Sequence, residues 1–355
     1  MIEVIGIIAL LIIFLIVIQI ARTSELVSVI RGDGETTHST NKINAYLMLV
    51  VMVVGLLGII GSVFYYKDGF LPVSASEHGV WIDSMFNWTL FFTGIVFLIT
   101  QIILFYFAFK YRSTKKTKAF YYPENNKLEL LWTAVPAVVL TFLVVMGLES
   151  WFKIFSPVPD DHHVVEVTGY QFGWNVRYPG LDGELGKNSI RDIEGSNILG
   201  IDWTDEASHD DILASEIHLP VDKPVLFKLG SKDVLHSFFL PHFRVKMDCV
   251  PGIPTQFWFT PTITTEEMRE ITGNPDFDYI LACAELCGAG HYNMGLTVIV
   301  GTQEEHDEWV SSQRPLYEIL NIAEQMEEKT ESDEEPATEI SSDEEVEVKD
   351  LISAL

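Results

Sequence analysis

Four runs of apolar residues, at about 3–21, 44–66, 86–109 and 130–150, constrain this chain more than any other feature. Each is close to the ~20 residues that an α-helix needs to cross the hydrocarbon core of a bilayer. Inside that core only helices and closed barrels satisfy their own backbone groups, so the runs are read as four spanning helices. The first opens with Glu3 instead of a basic region, and no A-x-A-like site follows it, which favours a retained helix over a cleaved signal peptide. The stretch "KYRSTKKTK", 110–118, is the densest basic cluster and joins the third and fourth runs. Basic loops stay in the cytoplasm, so both chain ends are expected on the opposite side, with everything from about Ser156 facing the periplasm.

A mean hydropathy of +0.22 coexists with a net charge of −27. Such a combination requires apolar and charged residues to be segregated along the chain, into a membrane part and a water-exposed part. Much of the negative charge sits in the last segment, "EQMEEKTESDEEPATEISSDEEVEVKD", from about Glu324. It has no aromatics and too little apolar surface to offset the entropy of ordering, and is expected to be a disordered, solvated tail. No internal repeat is evident, and no nucleic-acid partner is expected.

Between Val164 and Val300 the pattern shifts to short alternating runs bounded by Gly and Pro. "YQFGWNVRY" alternates as one half-buried strand would, with Tyr170, Phe172, Trp174, Val176 and Tyr178 on one face and Gln171, Gly173, Asn175 and Arg177 on the other. "KPVLFKLG", "QFWFTP" and "GLTVIVG" are further strands. The soluble part is therefore expected to be an all-β sandwich or barrel. A Gly-, Asp- and Ser-rich stretch at 178–211 interrupts it as a long surface excursion.

Within this domain, "YILACAELCGAGHYNMGL", 279–296, places two of the chain's 3 cysteines beside a Glu, a His and a Met. A disulfide between Cys283 and Cys287 is possible in an oxidising compartment, but it gives no reason for His291 and Met294 to follow at once. Soft thiolate and thioether donors with an imidazole are what a copper electron-transfer site asks for, whereas structural zinc sites rarely recruit Met. A mononuclear blue-copper centre uses one Cys, so the second is surplus unless it bridges two metals. A binuclear site needs another imidazole from elsewhere in the fold. His236 and His242, in "GSKDVLHSFFLPHFRVKMDCVPG", are the candidates, and the chemistry alone leaves both open.

From about Trp88 to Trp309 the chain resembles subunit II of haem-copper cytochrome c oxidases. The loop matches the family pattern C-x-E-x-C-x-x-x-H-x-x-M at Cys283, Glu285, Cys287, His291 and Met294, and "SKDVLHSF" matches S-x-D-V-x-H-S at His236. The resemblance implies a cupredoxin-like fold anchored by transmembrane helices and a binuclear copper centre, CuA. Cys283 and Cys287 would bridge the coppers, His236 and His291 would supply the imidazoles, and Met294 and the Glu285 carbonyl would complete the set. It selects His236 over His242, and assigns the Glu285 carboxylate to a Mg²⁺ ion at the contact with the catalytic subunit. Phe172 falls where the family has its electron-entry Trp, with Trp174 close by. Asp248 falls at an acidic donor-docking position; Cys249 is read as a buried inert thiol. "NNKLELLWTAVPA" matches E-x-x-W-T-x-x-P, which places Glu129 at the mouth of a proton-uptake path. A Glu in the first turn of a helix is also favoured by the macrodipole alone.

The family commonly carries one transmembrane hairpin, so the runs at 3–21 and 44–66 are additional. The expected division is 1–85 extra helices, 86–155 hairpin, 156–323 CuA domain and 324–355 acidic tail. No C-x-x-C-H is present, so the electron donor is expected to be a separate cytochrome c or a haem c subunit of a larger assembly. The implied function is an electron-transfer subunit of a bacterial inner-membrane oxidase. It would pass electrons to the haem-copper subunit I, which reduces O₂ with proton pumping, alongside other oxidase subunits and membrane lipid. A nitrous oxide reductase would be soluble and carry a further copper domain, and a quinol oxidase subunit would lack the ligands; neither fits as well.

Overall fold

The computed structural model describes residues 2–31, 34–114 and 120–322. The expected tail and residues 115–118 of the basic loop lie outside the described residues. The apolar runs form α1 (Ile2–Arg31), α2 (Gly34–Phe70), α3 (Glu77–Lys110) and α4 (Asn126–Ile154). Among the described residues, three segments are long and apolar enough to cross a membrane: Thr40–Lys67, Glu77–Lys110 and Asn126–Ile154. The run at 3–21 is helical within α1.

Two compact units divide the chain: Met1–Val73 with Ile82–Trp151, and Ser74–Trp81 with Phe152–Leu355. The segment leading into α3 thus belongs to the β unit, where Ala75 N–H donates to the His242 carbonyl at 2.8 Å and the Ser76 hydroxyl to the Phe243 carbonyl at 2.7 Å.

The β unit is a sandwich of two five-stranded sheets. One comprises β1 (His163–Tyr170), β2 (Gly173–Tyr178), β3 (Ile212–Ala214), β5 (Val225–Ser231) and β8 (Thr255–Phe259), in the order β3-β2-β1-β5-β8. The other comprises β4 (Ile217–Pro220), β6 (His236–Leu240), β7 (Val245–Cys249), β9 (Tyr279–Cys283) and β10 (Gly295–Gly301), in the order β4-β10-β9-β6-β7. β1 with β5 and β4 with β10 pair in parallel, and the remaining neighbours are antiparallel. Both sheets bury alternate side chains in one core, in which Phe227 lies 5.2 Å from Phe238 and 5.3 Å from Phe257 between ring centroids. Fully burying such a ring contributes about 1.5–3 kcal/mol, which is how a sandwich built from short strands becomes rigid.

The expected single strand "YQFGWNVRY" is instead the β1–β2 hairpin, with Gln171 and Phe172 as its turn and Tyr170 paired with Gly173. Opposed residues of an antiparallel pair point to the same face, so Tyr170 and Trp174 lie on opposite faces, not on one. Phe172 is in the turn and shares no strand face with Trp174. β2 is also buried on both sides. Asn175 and Arg177, expected to face water, are both buried, and Arg177 is covered by the 178–211 excursion.

Arg177 anchors that excursion. Its guanidinium donates to Glu166 Oε2 (2.7 Å), Asp211 Oδ2 (2.8 Å) and the Gly186 carbonyl (2.9 Å), with Arg177 2% and Asp211 0% exposed. Burial pushes the Asp211 carboxyl from 3.8 up to about 6, against the attraction of Arg177. Asp211→Ala should therefore cost about 1–3 kcal/mol, because the buried guanidinium keeps Glu166 but loses its second carboxylate, measured by denaturant unfolding of the full chain in detergent. An Asp raised from 3.8 to about 6 holds its proton more tightly folded than unfolded. Its contribution to stability is full below pH ~4 and lost as the pH rises through ~6, a slope that Asp211→Asn should remove.

Candidate metal centre

His236 opens β6 and Cys283 closes β9. The two strands run antiparallel, with Phe238 opposite Cys283 and Phe239 opposite Ala282, so both residues emerge at the same end of the sheet. The chain then leaves the sheet for a loop carrying Glu285, Cys287, His291 and Met294, and returns as β10 at Gly295. The loop's donor atoms converge. Cys283 Sγ is 3.9 Å from His236 Nδ1, 4.0 Å from Cys287 Sγ and 3.2 Å from the Glu285 carbonyl oxygen. Cys287 Sγ lies 3.7 Å from His291 Nδ1 and 3.7 Å from Met294 Sδ. All three cysteines are free, and 4.0 Å is about twice a disulfide length, so the loop does not form the disulfide that its spacing permits. The ligand atoms of His236, Cys283 and Cys287 lie within 4.8 Å of one another, the one such metal-capable group among the described residues.

What surrounds the donors orients them. Asp233 Oδ1 accepts a hydrogen bond from His236 Nε2 at 2.8 Å, which leaves Nδ1 as the lone-pair donor toward the sulfurs. Burial of Asp233 opposes ionisation, but hydrogen bonds from His236, from the Gln171 N–H and from Val234 outweigh it and hold the carboxyl below its usual range. Gln171 Nε2 donates to the Cys287 carbonyl at 2.6 Å, and Trp174 Nε1 donates to the Met294 carbonyl at 3.4 Å. Trp174 is 6% exposed and stands edge-on to the His236 ring, 6.0 Å between centroids. Gly169 makes room for both: a Cβ there would come within 2.9 Å of His236 Cδ2 and 3.1 Å of Trp174 Cζ3. Burial, with Cys283 adding, pushes the Cys287 thiol up to about 11.

The other expected site residues fall in several places. His242 lies beyond the far end of β6, six residues from His236 and ~20 Å away at strand rise. Its ring packs edge-on to Phe277 and Tyr279, and burial lowers its pKa. Asp248 is exposed on β7, opposite Ser237, one residue along from the pairing of Cys249 with His236. Cys249 is fully buried, and burial raises its thiol to about 12. Phe172 is 42% exposed at the hairpin turn and lies against the metal loop, where a Cβ at Gly288 would meet its ring at 2.9 Å and one at Gly290 at 2.5 Å. Trp174 is a core residue behind His236. The Glu285 side chain is exposed. In the other unit, Asn125 caps α4 by accepting from the Leu128 N–H at 3.1 Å, and the Glu129 carboxylate accepts from the Asn125 N–H at 3.4 Å.

Two contributors escaped the sequence reading, Asp233 and Gln171. Asp233 stands three residues before His236 in "SKDVLHSF" and could have been found there, since an imidazole that ligates through one nitrogen commonly donates through the other to a carboxylate. Gln171 carried no signal, because its partners lie 62 and 116 residues away.

Residues 164–301 match the family described as cytochrome c oxidase subunit II, periplasmic domain, and residues 64–150 match cytochrome c oxidase subunit II, transmembrane domain. The alternative cytochrome c oxidase subunit 2 of Bradyrhizobium diazoefficiens is 38% identical over 236 residues, covering 66% of this chain and 80% of that protein. Cytochrome c oxidase subunit 2 of Thermostichus vulcanus is 29% identical over 266 residues, covering 68% and 77%. The crystal structure of the periplasmic domain of subunit II of cytochrome oxidase from Bradyrhizobium japonicum aligns with 44% of this chain and 96% of its own, at 26% identity and a TM-score of 0.31.

Gly169→Ala should push the His236 imidazole out of line. Overpacking of this kind costs about 1–3 kcal/mol, so copper affinity should fall about 5- to 150-fold in a competitive chelator titration, with both loop thiols still titratable. Unchanged affinity would show that the imidazole is not confined by this contact.

Proposed function

The chain belongs to the cytochrome c oxidase subunit II family and is an electron-transfer component of that oxidoreductase, and on that premise we propose that its loop and His236 hold a binuclear copper centre, CuA. The observation that carries the reading is two unbonded sulfurs 4.0 Å apart with an imidazole Nδ1 beside each, at 3.9 and 3.7 Å. A carbonyl oxygen 3.2 Å from one sulfur and a thioether 3.7 Å from the other complete a soft, paired donor set suited to copper. Cys283, Cys287, His236 and His291 would hold the copper pair, with Met294 and the Glu285 carbonyl completing the set. When bound, the pair would supply one-electron redox chemistry.

The protein's own residues do the rest. Asp233 holds the His236 tautomer, and Trp174 and Gly169 wall the imidazole on the inner side. The loop donors stand on a sandwich whose core does not yield, so the donor set keeps one geometry. Phe172 is the electron-entry residue: it is exposed to a donor on one side and touches the loop glycines on the other. Trp174, buried behind His236, is a weaker candidate for that role. Asp248 contributes to docking a basic cytochrome c or haem c donor, attracted by an acidic domain. The exposed Glu285 carboxylate binds Mg²⁺ at the contact with the haem-copper subunit I, the electron acceptor that reduces O₂. α1 is a fourth span, and the chain sits in a bacterial inner membrane with its N-terminus and β unit on the periplasmic side. Residues 1–85 hold the additional helices, which meet other subunits or lipid. Glu129 opens a proton-uptake path.

Copper-reconstituted full chain in detergent should contain two coppers and give a mixed-valence EPR signal. Cys283→Ser should abolish that signal and His236→Ala alter it, while one copper with a type 1 spectrum would overturn the assignment. Glu129→Gln keeps an oxygen able to accept from Asn125 N–H but removes the charge. It should slow proton-coupled turnover of the assembled oxidase and leave copper reduction by cytochrome c unchanged; full turnover would reject the proton role.

A further inference from the structure

The β1–β2 turn is fastened to the metal loop and to the carboxylate behind His236 by three contacts, and two of them belong to Gln171. Its backbone N–H donates to Asp233 Oδ2 at 2.7 Å, and the other oxygen of that carboxylate holds His236 Nε2 at 2.8 Å. Its side-chain Nε2 donates to the Cys287 carbonyl at 2.6 Å. The third fastening is the Phe172 ring against Gly288 and Gly290. Gln171 therefore touches one candidate bridging cysteine directly and one candidate imidazole ligand through a single carboxylate, while sharing a peptide unit with the exposed aromatic.

We propose that Gln171 is a positioning residue for electron entry, holding Phe172 in contact with the loop and polarising the Cys287 carbonyl. The proposal rests on the copper reading above and on Phe172 as the entry residue. A phenylalanine has no polar atom with which to fix itself. On a two-residue turn with nearly half its surface exposed, its ring is placed only by glycine contacts and by what holds the neighbouring residue. Electron tunnelling falls steeply with each added ångström of through-space gap, so loosening the turn weakens the path even though nothing else in the domain moves. The hydrogen bond to the Cys287 carbonyl acts separately: a donor there withdraws electron density from the cysteine that ligates the centre, which favours the reduced state.

Gln171→Leu keeps the bulk and the backbone N–H but deletes the side-chain donor. In the assembled, copper-loaded oxidase it should slow electron entry from photoreduced cytochrome c several-fold. It should also lower the reduction potential of the centre and shift its visible absorption. Two coppers per chain should still bind, and a strong small soluble reductant should still reduce the centre fully. A purely structural turn residue would leave potential and spectrum unmoved, and that result overturns the proposal. Phe172→Leu separates the two readings. If Phe172→Leu slows entry and Gln171→Leu does not, the positioning role fails and Phe172 stands; if neither slows it, both fail.

Discussion

The antiparallel pairing of β6 with β9 places an imidazole and a thiol at the same end of one sheet, and everything the site can do depends on that register. With Phe238 opposite Cys283, His236 Nδ1 comes to 3.9 Å from Cys283 Sγ. A slip of one residue would turn the His236 side chain to the opposite face of the sheet. The register is held by Phe238 and Leu240, whose side chains are fully buried between the sheets, so the core's packing energy is what fixes the distance between ligands that lie 47 residues apart.

The loop after Cys283 works differently. It has few apolar anchors and many exposed residues, and its shape comes from its own turn hydrogen bonds together with hydrogen bonds made to it by the opposite sheet. Gln171 and Trp174, both from the β1–β2 hairpin, donate to the carbonyls of Cys287 and Met294. Each of the loop's two buried ligating residues therefore has its carbonyl held by a side chain of that hairpin. The exposed aromatic of the turn lies against the loop that carries the sulfurs, which puts the route for electrons and the scaffold of the site in the same few residues.

Legibility in the sequence followed the range of the interactions involved. Long apolar runs fix helices locally, so α2, α3 and α4 could be placed from hydropathy, and the alternation in "KPVLFKLG" and "GLTVIVG" marked β5 and β10. The hairpin was missed because alternation continues unbroken from Tyr170 through Phe172 to Trp174, and the glycine that follows the turn, Gly173, belongs to β2. Arg177 was expected in water because its covering partner, Asp211, is 34 residues away across an irregular excursion. At the site, Cys283, Glu285, Cys287, His291 and Met294 were legible as a cluster because they share one loop. His236 and His242 were chemically equivalent candidates until a family pattern, and then the strand ends, separated them.

The sequence by itself determined that this chain has a membrane part and a β part, and that one loop concentrates soft metal donors, because hydropathy and short-range spacing are properties of neighbouring residues. Only the tertiary structure decided which imidazole meets the sulfurs and that the sulfurs stay apart at 4.0 Å. It also decided that a turn glutamine and an aspartate brace the donors. Those outcomes depend on strand register and on contacts between residues far apart in the chain, and no local pattern encodes them.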